Sequence, residues 1–332
     1  MSARSNASPG SAGPNAPPAP GPDVAPGSAG PDVATVPGPG PATAAPARPV
    51  VAYTGEPGAF AEEAVLRFFA TPEARPLSSF RAVFEAVHDG DAIAGVVPVE
   101  SSLLGTIREN LDLLYEFDLP VVGEVSVPVR LALLALPGER LETVERVYSI
   151  AAALAQADAF LRSRPWTIQT TYNTAGAAKQ VAERGERGAA AIASARVAAI
   201  YGLQVLADGI QTGADNRTRF AVIARRGAET AVRSAAQPTA VAGPPRTTLV
   251  FAVRNVPGSL HRSLGAFATR GLNLSRLESR PWTERGSRWE YLFWVDLDAD
   301  PADPACAAAL ADLRAETEVV RILGTYPRAA ED

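Results

Sequence analysis

Cysteine and histidine are nearly missing from this 332-residue chain, which has one cysteine, Cys306, and two histidines, His88 and His261. A single cysteine excludes an intrachain disulfide and any cluster of thiolate ligands. With two histidines, a zinc site would have to be built almost wholly from carboxylates, against the usual ligand set. Neither histidine stands in a context that suits a Ser-His-Asp relay. The sequence therefore assigns no metal and no cofactor. Basic charge is not in excess either: Lys and Arg number 31 against 36 Asp and Glu, for a net charge of -5. Such a balance offers no broad positive field to nucleic acid or to an anionic membrane. No apolar run approaches the roughly 20 residues of a membrane-spanning helix. The chemistry is left to hydroxyls, amides, carboxylates, arginines and backbone dipoles.

Large apolar side chains are almost absent from residues 1–49, which are rich in Pro, Ala, Gly and Ser. Such a segment buries too little surface to offset its ordering entropy and is expected to stay a solvated tail. No apolar stretch of a secretory signal follows Arg4, and a cytoplasmic location is expected. From residue 50 the texture changes. Strands are expected at 50–53, 93–99, 147–149, 168–172, 189–193, 203–206 and 219–224, with a long β-rich run over 121–136. Helices are expected at 60–69, 80–87, 110–116, 152–161, 174 to about 183, and 195–201. This alternation predicts an α/β domain over 50–226 with largely parallel sheets. Residues 227–246 have a linker composition, ending in Gly243-Pro244-Pro245. A smaller unit follows over 247–328 in the order β-α-β-β-α-β, the split βαβ of ferredoxin-like domains. Within it Trp289, Tyr291, Phe293, Val295 and Leu297 alternate on one strand face.

Three strand-to-helix junctions carry hydroxyls: Ser101 and Ser102, Thr174, and Ser194. In open α/β sheets ligands bind at the carboxyl ends of strands, where the next helix presents free N–H groups. Each junction can hold a carboxylate, although Ser and Thr also serve there simply as helix caps. Asn216-Arg217-Thr218-Arg219-Phe220 places a hydroxyl and a cation in a loop that runs into a strand. Gly55-Glu56-Pro57-Gly58 is a turn beside a helix start. In the small unit, 255–259 joins strand to helix and 278–281 ends the second strand; both suit turn chemistry or the ends of an amino-acid zwitterion.

Several ordered strings resemble the prephenate dehydratase family over about residues 50–328. They are Val51-Ala52-Tyr53-Thr54-Gly55-Glu56-Pro57-Gly58-Ala59-Phe60, Gly95-Val96-Val97-Pro98-Val99-Glu100, Thr174-Ala175-Gly176-Ala177-Ala178-Lys179, Ala191-Ile192-Ala193-Ser194 through Tyr201-Gly202-Leu203, and the Asn-x-Thr-Arg-Phe string at 216–220. In the small unit, Asn255 to Leu260 resembles the family's Gly-Ala-Leu effector loop, and Glu278-Ser279-Arg280-Pro281 matches its second effector motif. The resemblance implies a two-lobed catalytic domain like a periplasmic binding protein, with a second lobe at about 130–210, followed by an ACT regulatory domain. It implies conversion of prephenate to phenylpyruvate with loss of CO2 and water, and inhibition by phenylalanine bound between the ACT domains of a homodimer or homotetramer. By the same resemblance Thr218 is the proton donor and Ser149 and Gln156 are active-site polar groups. Ser101, Ser102, Thr174, Ser194 and Arg219 would bind substrate, and Asn255, Pro257, Gly258, Ser259, Leu260, Glu278, Ser279 and Arg280 the effector.

The chain departs from the family pattern at Ser101, where Asn is usual, and at Ile150-Ala151-Ala152, where His-Pro-Gln usually follows the serine. Asn110-Leu111 stands for Asn-Tyr. Alternatives therefore stay open: an arogenate or cyclohexadienyl dehydratase, a non-aromatising prephenate decarboxylase, or a catalytically silent amino-acid-binding regulator.

Overall fold

The computed structural model describes Pro17, Ala19, Gly21 and residues 48–213, 215–282 and 290–329. The chain divides into Met1–Pro46 and Ala47–Asp332, and the elements of the described residues lie in the second unit. The expectation for the tail falls almost wholly outside the described residues, as does Trp289.

The first lobe opens with β1 (Val50–Thr54), α1 (Phe60–Phe68), β2 (Glu73–Leu77), α2 (Phe80–Asp89) and β3 (Ala94–Ser101). A short β4 (Gly105–Thr106), α3 (Arg108–Phe117) and β5 (Val121–Pro128) complete this passage. α2 starts where Ser79 accepts a hydrogen bond from the Ala82 amide at 3.1 Å, and it stops at Gly90 in the left-handed region. β2 escapes a reading by hydrophobic runs because its sequence, Glu-Ala-Arg-Pro-Leu, is that of a sheet edge.

The second lobe holds β6 (Ala132–Ala135), β7 (Arg146–Ser149), α4 (Ala151–Gln156), α5 (Asp158–Arg162), β8 (Thr167–Thr170), α6 (Thr174–Arg184), β9 (Ala189–Ala193), α7 (Arg196–Tyr201) and β10 (Gln204–Asp208). The chain then returns to the first lobe through β11 (Arg217–Ala224). The first sheet runs β2-β1-β3-β11-β5 and the second β10-β6-β9-β7-β8. β1, β2 and β3 are mutually parallel, as are β7, β8 and β9, while β11 and β6 run against their neighbours. The expected β-rich run over 121–136 is thus two strands in different sheets. The break, at 129–131, is one of two crossings between the lobes. The crossings lie side by side: the Val129 amide donates to the Asn216 carbonyl at 2.7 Å, and Ile210 to Leu131 at 3.0 Å.

The stretch expected as a linker is folded. It forms α8 (Glu229–Ser234) and a 3-10 turn at Pro238–Val241, and Val232 is buried in the first-lobe core. Backbone bonds from Ala70 to Ala235 and from Gln237 to Phe68 fasten it to the end of α1.

The small unit comprises β12 (Pro245–Ala252), α9 (Ser259–Ala268), β13 (Leu274–Pro281), β14 (Tyr291–Leu297), α10 (Pro304–Glu316) and β15 (Val319–Pro327). Its antiparallel sheet, β13-β14-β12-β15, is the ferredoxin-like order. Leu249, Phe251, Val295 and Leu297 pack on α9 and α10. The sequence gives no sign that the other face is covered too. Val250, Leu292, Trp294, Leu323 and Tyr326 share one core with Leu111, Leu114 and Val121 of the first lobe. At Gly324 the two sheets meet so closely that an added Cβ would lie 2.0 Å from the Val121 carbonyl oxygen.

Charges seal this contact. Arg219 of β11 reaches Asp296 of β14 at 2.7 Å and Glu124 of β5 at 3.3 Å, and Arg246 bonds Glu124 at 2.9 Å. Arg276 donates to Asp296 at 3.1 Å, and the Thr248 hydroxyl donates to the same carboxylate at 2.7 Å. Burial opposes the charge of Asp296, but Arg276, Arg219 and Thr248 outweigh it and hold the carboxyl well below the usual carboxylate range. The unfolded chain therefore binds the Asp296 proton at a higher pH than the folded one. The stabilisation is complete above about pH 4, the ordinary aspartate value, and is lost as the pH falls toward the folded value. Asp296→Asn is expected to flatten the acid limb of stability against pH in urea titrations; an unchanged slope would contradict this.

Candidate active site

Between the lobes lies a cleft of about 530 Å³. It opens at the carboxyl ends of the parallel strands, where α/β folds place ligands. Thr54 ends β1 and is followed by Gly55 and Glu56, Leu77 ends β2 and is followed by Ser78, and Ser101 ends β3. Ile150, Asn173 and Thr174 enter from the second lobe. Thr218 and Phe220 look in from β11. Phe60, Phe80, Leu104, Ile107 and Leu131 make much of the wall apolar. Glu56 is the one charged side chain among the described lining residues.

Alternation along β11 decides which groups reach the cleft. Thr218 and Phe220 face it, whereas Arg219 is turned to the opposite side. Ser101 pairs with Thr218 across the sheet, and Glu100 pairs with Arg219. Ser101 Oγ lies 3.3 Å from the Leu104 amide in the turn toward β4. Asn216 is buried at the lobe crossing and donates to Gln156 Oε1 at 2.8 Å, which fixes that amide at the cleft wall. Helices α3 and α6 both begin at the cleft, after Ile107 and Asn173, and helix starts favour negative charge; of the first-turn amides of α6, that of Gly176 is already taken by the Asn173 side chain.

Glu56 spans the opening. Gly55 and Gly58 both have positive φ, which turns the Glu56 carboxylate toward the second lobe. Tyr172 donates to it at 3.1 Å and Lys179 at 3.0 Å. Partial burial, with the Glu56 charge, keeps the Tyr172 phenol above its ordinary pKa. The Tyr172 ring lies where a side chain at residue 176 would stand, so Gly176 is needed for this contact. Loosening the bridge with Glu56→Gln is expected to raise KM by about two- to fivefold and leave kcat unaltered, since partly exposed ion pairs contribute little. Steady-state kinetics decide it: a fall in kcat with constant KM would contradict this role.

Residues 51–228 match the family model described as prephenate dehydratase. The chain belongs to the prephenate dehydratase family. It is 40% identical over 291 residues to arogenate dehydratase 1 of Petunia hybrida, a match covering 83% of this chain and 66% of that protein. The chain thus spans about two thirds of that relative. Among solved structures, the prephenate dehydratase of Arthrobacter aurescens in complex with L-Phe superposes with a TM-score of 0.74 at 31% identity, over 84% of this chain and 90% of that one. A structure described as GqqA, a novel type of quorum quenching acylase, gives 0.74 at 33% identity, over 85% and 98%.

Of the expected site residues, Thr218, Gln156, Ser101 and Thr174 come together in the cleft. Four others do not line it. Ser149 is fully buried and donates to the Ile192 carbonyl at 2.7 Å, because it still belongs to β7 and points into the sheet's packing. Ser194 lies 3.4 Å from the Arg196 amide at the start of α7. Ser102 donates to the Asp215 carbonyl at 3.2 Å and so ties the returning crossing. Arg219 faces the small unit. Glu56, Tyr172 and Asn173 also line the cleft, although the sequence alone gave none of them a site role. Gly55 and Gly58 around Glu56 were the available signal.

In the small unit a cavity of about 370 Å³ is lined by Asn255, Gly258, Ser259 and Leu260 together with Tyr291 and Phe293. Pro257 is not among its lining residues, and Glu278, Ser279 and Arg280 lie on β13. Thr106, which lines the cleft, donates to Glu278 at 3.3 Å, and Arg280 bonds Asp112 of α3.

Proposed function

We propose that this chain is a hydro-lyase that converts prephenate to phenylpyruvate, and that arogenate is the alternative substrate of the same site. The observation that carries the reading is the convergence of Thr218, Gln156, Ser101 and Thr174 on one largely apolar cleft between two helix starts. Carboxylates of the substrate take the amides at the starts of α3 and α6, where the helix dipole favours negative charge. The ring hydroxyl lies toward Thr218. The ring carboxylate leaves as CO2, and its bonding electrons enter the ring as the carbon–oxygen bond opposite breaks. Thr218 Oγ1 supplies a proton to the departing hydroxide, which leaves as water, and solvent restores that proton. A threonine is a weak acid, so the apolar wall and the helix dipoles carry much of the stabilisation. The described lining residues include neither histidine nor cysteine, so no imidazole-activated nucleophile is at hand for acyl transfer.

The small unit is read as an ACT domain, and its cavity of about 370 Å³ as the phenylalanine site. The L-Phe named with the Arthrobacter aurescens dehydratase supports this. A homodimer or homotetramer and a cytoplasmic location belong to the same proposal. Among the described residues no helix is long and apolar enough to cross a membrane.

The test is direct. Purified chain is incubated with prephenate or with arogenate, and phenylpyruvate or phenylalanine is followed. Turnover of prephenate supports the reading. Turnover of arogenate alone selects the alternative substrate. Phenylalanine binding without any turnover would replace both with a silent regulator.

A further inference from the structure

Arg219 follows Thr218 directly, yet its guanidinium lies on the other side of the sheet. There it meets three carboxylates carried by three strands: Glu100 of β3 at 2.7 Å, Glu124 of β5 at 3.3 Å and Asp296 of β14 at 2.7 Å. Glu100 is the neighbour of Ser101, which lines the cleft opposite Thr218. One planar group therefore sits behind both cleft hydroxyls. The ladder is irregular at this point. Arg219 pairs with Glu100 while Phe220 pairs with Pro98, leaving Val99 as an extra residue. This bulge lets Ser101 and Pro98 both face the cleft, with Glu100 kept on the side of Arg219. A bulged ladder is disrupted where it bulges, and the ionic contacts supply the constraint it lacks.

Burying charge is a poor route to stability. Well-packed apolar residues often serve as well or better, and in some proteins buried ionic groups are kept for the geometry they specify. Here three cations, Arg219, Arg246 and Arg276, meet Glu100, Glu124 and Asp296, and Asp296 is almost fully enclosed. Asp296 lies on β14, and the start of that strand lines the small-unit cavity with Tyr291 and Phe293.

We propose that Arg219 is a positioning residue for Thr218, and that Asp296 of the small domain, by anchoring Arg219, sets the placement of the cleft hydroxyl and so the rate of the chemical step. The proposal rests on the dehydratase reading and adds to it a physical link from the regulatory sheet to the acid. The ion-pair partners of the Arg219 guanidinium, Glu100, Glu124 and Asp296, do not line the cleft, so its effect is expected on kcat. Lysine at this position keeps the charge but lacks the fork that reaches three carboxylates at once.

The test uses the full chain with Arg219→Lys, Asp296→Asn and the double variant, each checked for cooperative unfolding, with kcat and KM measured for the substrate that the wild type turns over. A misplaced reacting group can cost up to about a hundredfold, so each single change is expected to lower kcat by about tenfold or more with KM within about twofold. The double variant should lose no more than the worse single one, because both changes break one link. A folded Asp296→Asn protein with wild-type kcat overturns the proposal. So do losses that multiply in the double variant, and so does an effect confined to KM. If Asp296→Asn fails to fold, Arg219→Lys decides alone, and wild-type kcat there overturns it. Absence of turnover by the wild-type chain with either substrate overturns the dehydratase reading, and this inference with it. An active wild type with unaffected variants overturns the inference only.

Discussion

Thr218→Ala is expected to lower kcat by about 10²–10⁴-fold while leaving KM within a small factor, the usual weight of one positioned acid. The side chain sits at the cleft on β11, paired with Ser101 on one side and Val127 on the other, so its removal leaves the strand in place. Substrate anchoring is assigned to the starts of α3 and α6, which the substitution does not touch. Thr218→Ser keeps the hydroxyl and is expected to retain much more activity. Steady-state kinetics on both variants check the assignment. Equal loss in both would mean that the methyl group's packing, not the hydroxyl, matters.

Trp294→Ala is expected to destabilise the protein by about 3–5 kcal/mol, as large-to-small changes of buried aromatics do. Trp294 is 1% exposed and belongs to the core shared by the small sheet and the first lobe. The loss falls on the contact between them, so guanidinium unfolding should split into two transitions, the small domain separating first. A single transition displaced by less than about 1 kcal/mol would show that this face packs far more loosely than its burial indicates.

The alternation of strands and helices was legible from residue 50 onward, because buried parallel strands such as Val50–Thr54 and Ala189–Ala193 read as short apolar runs between helix signals. The βαββαβ order of the small domain was legible from alternation instead, as at Tyr291, Phe293, Val295 and Leu297 on antiparallel β14. β2 was not, since an edge strand carrying Glu73, Arg75 and Pro76 has no apolar run. The segment 227–246 looked like a linker because its anchors are small: Val232, Ala235 and Ala236 fasten it with little hydrophobic signal. Thr218 and Gln156 were marked through the family resemblance, and the cleft gathers them. Arg219 was placed with the substrate because the motif is continuous in sequence. Period-two alternation of a strand sends successive side chains to opposite faces, and that rule turns it toward Asp296. Ser149 was lost to the cleft for a related reason, as the last residue of β7 with its hydroxyl on the Ile192 carbonyl. The docking of the small sheet depends on contacts between β14, β15 and β5, which no local pattern encodes.

In the proposed reaction a cofactor-independent cleft aromatises a diacid with help from one threonine hydroxyl. The most direct test follows prephenate carrying 13C in its ring carboxylate by NMR in the presence of the full chain. Labelled CO2 and phenylpyruvate should appear in equal amounts with the wild type, and neither at a comparable rate with Thr218→Ala. Release of labelled CO2 without an aromatic product, or equal rates in the two proteins, would contradict the account.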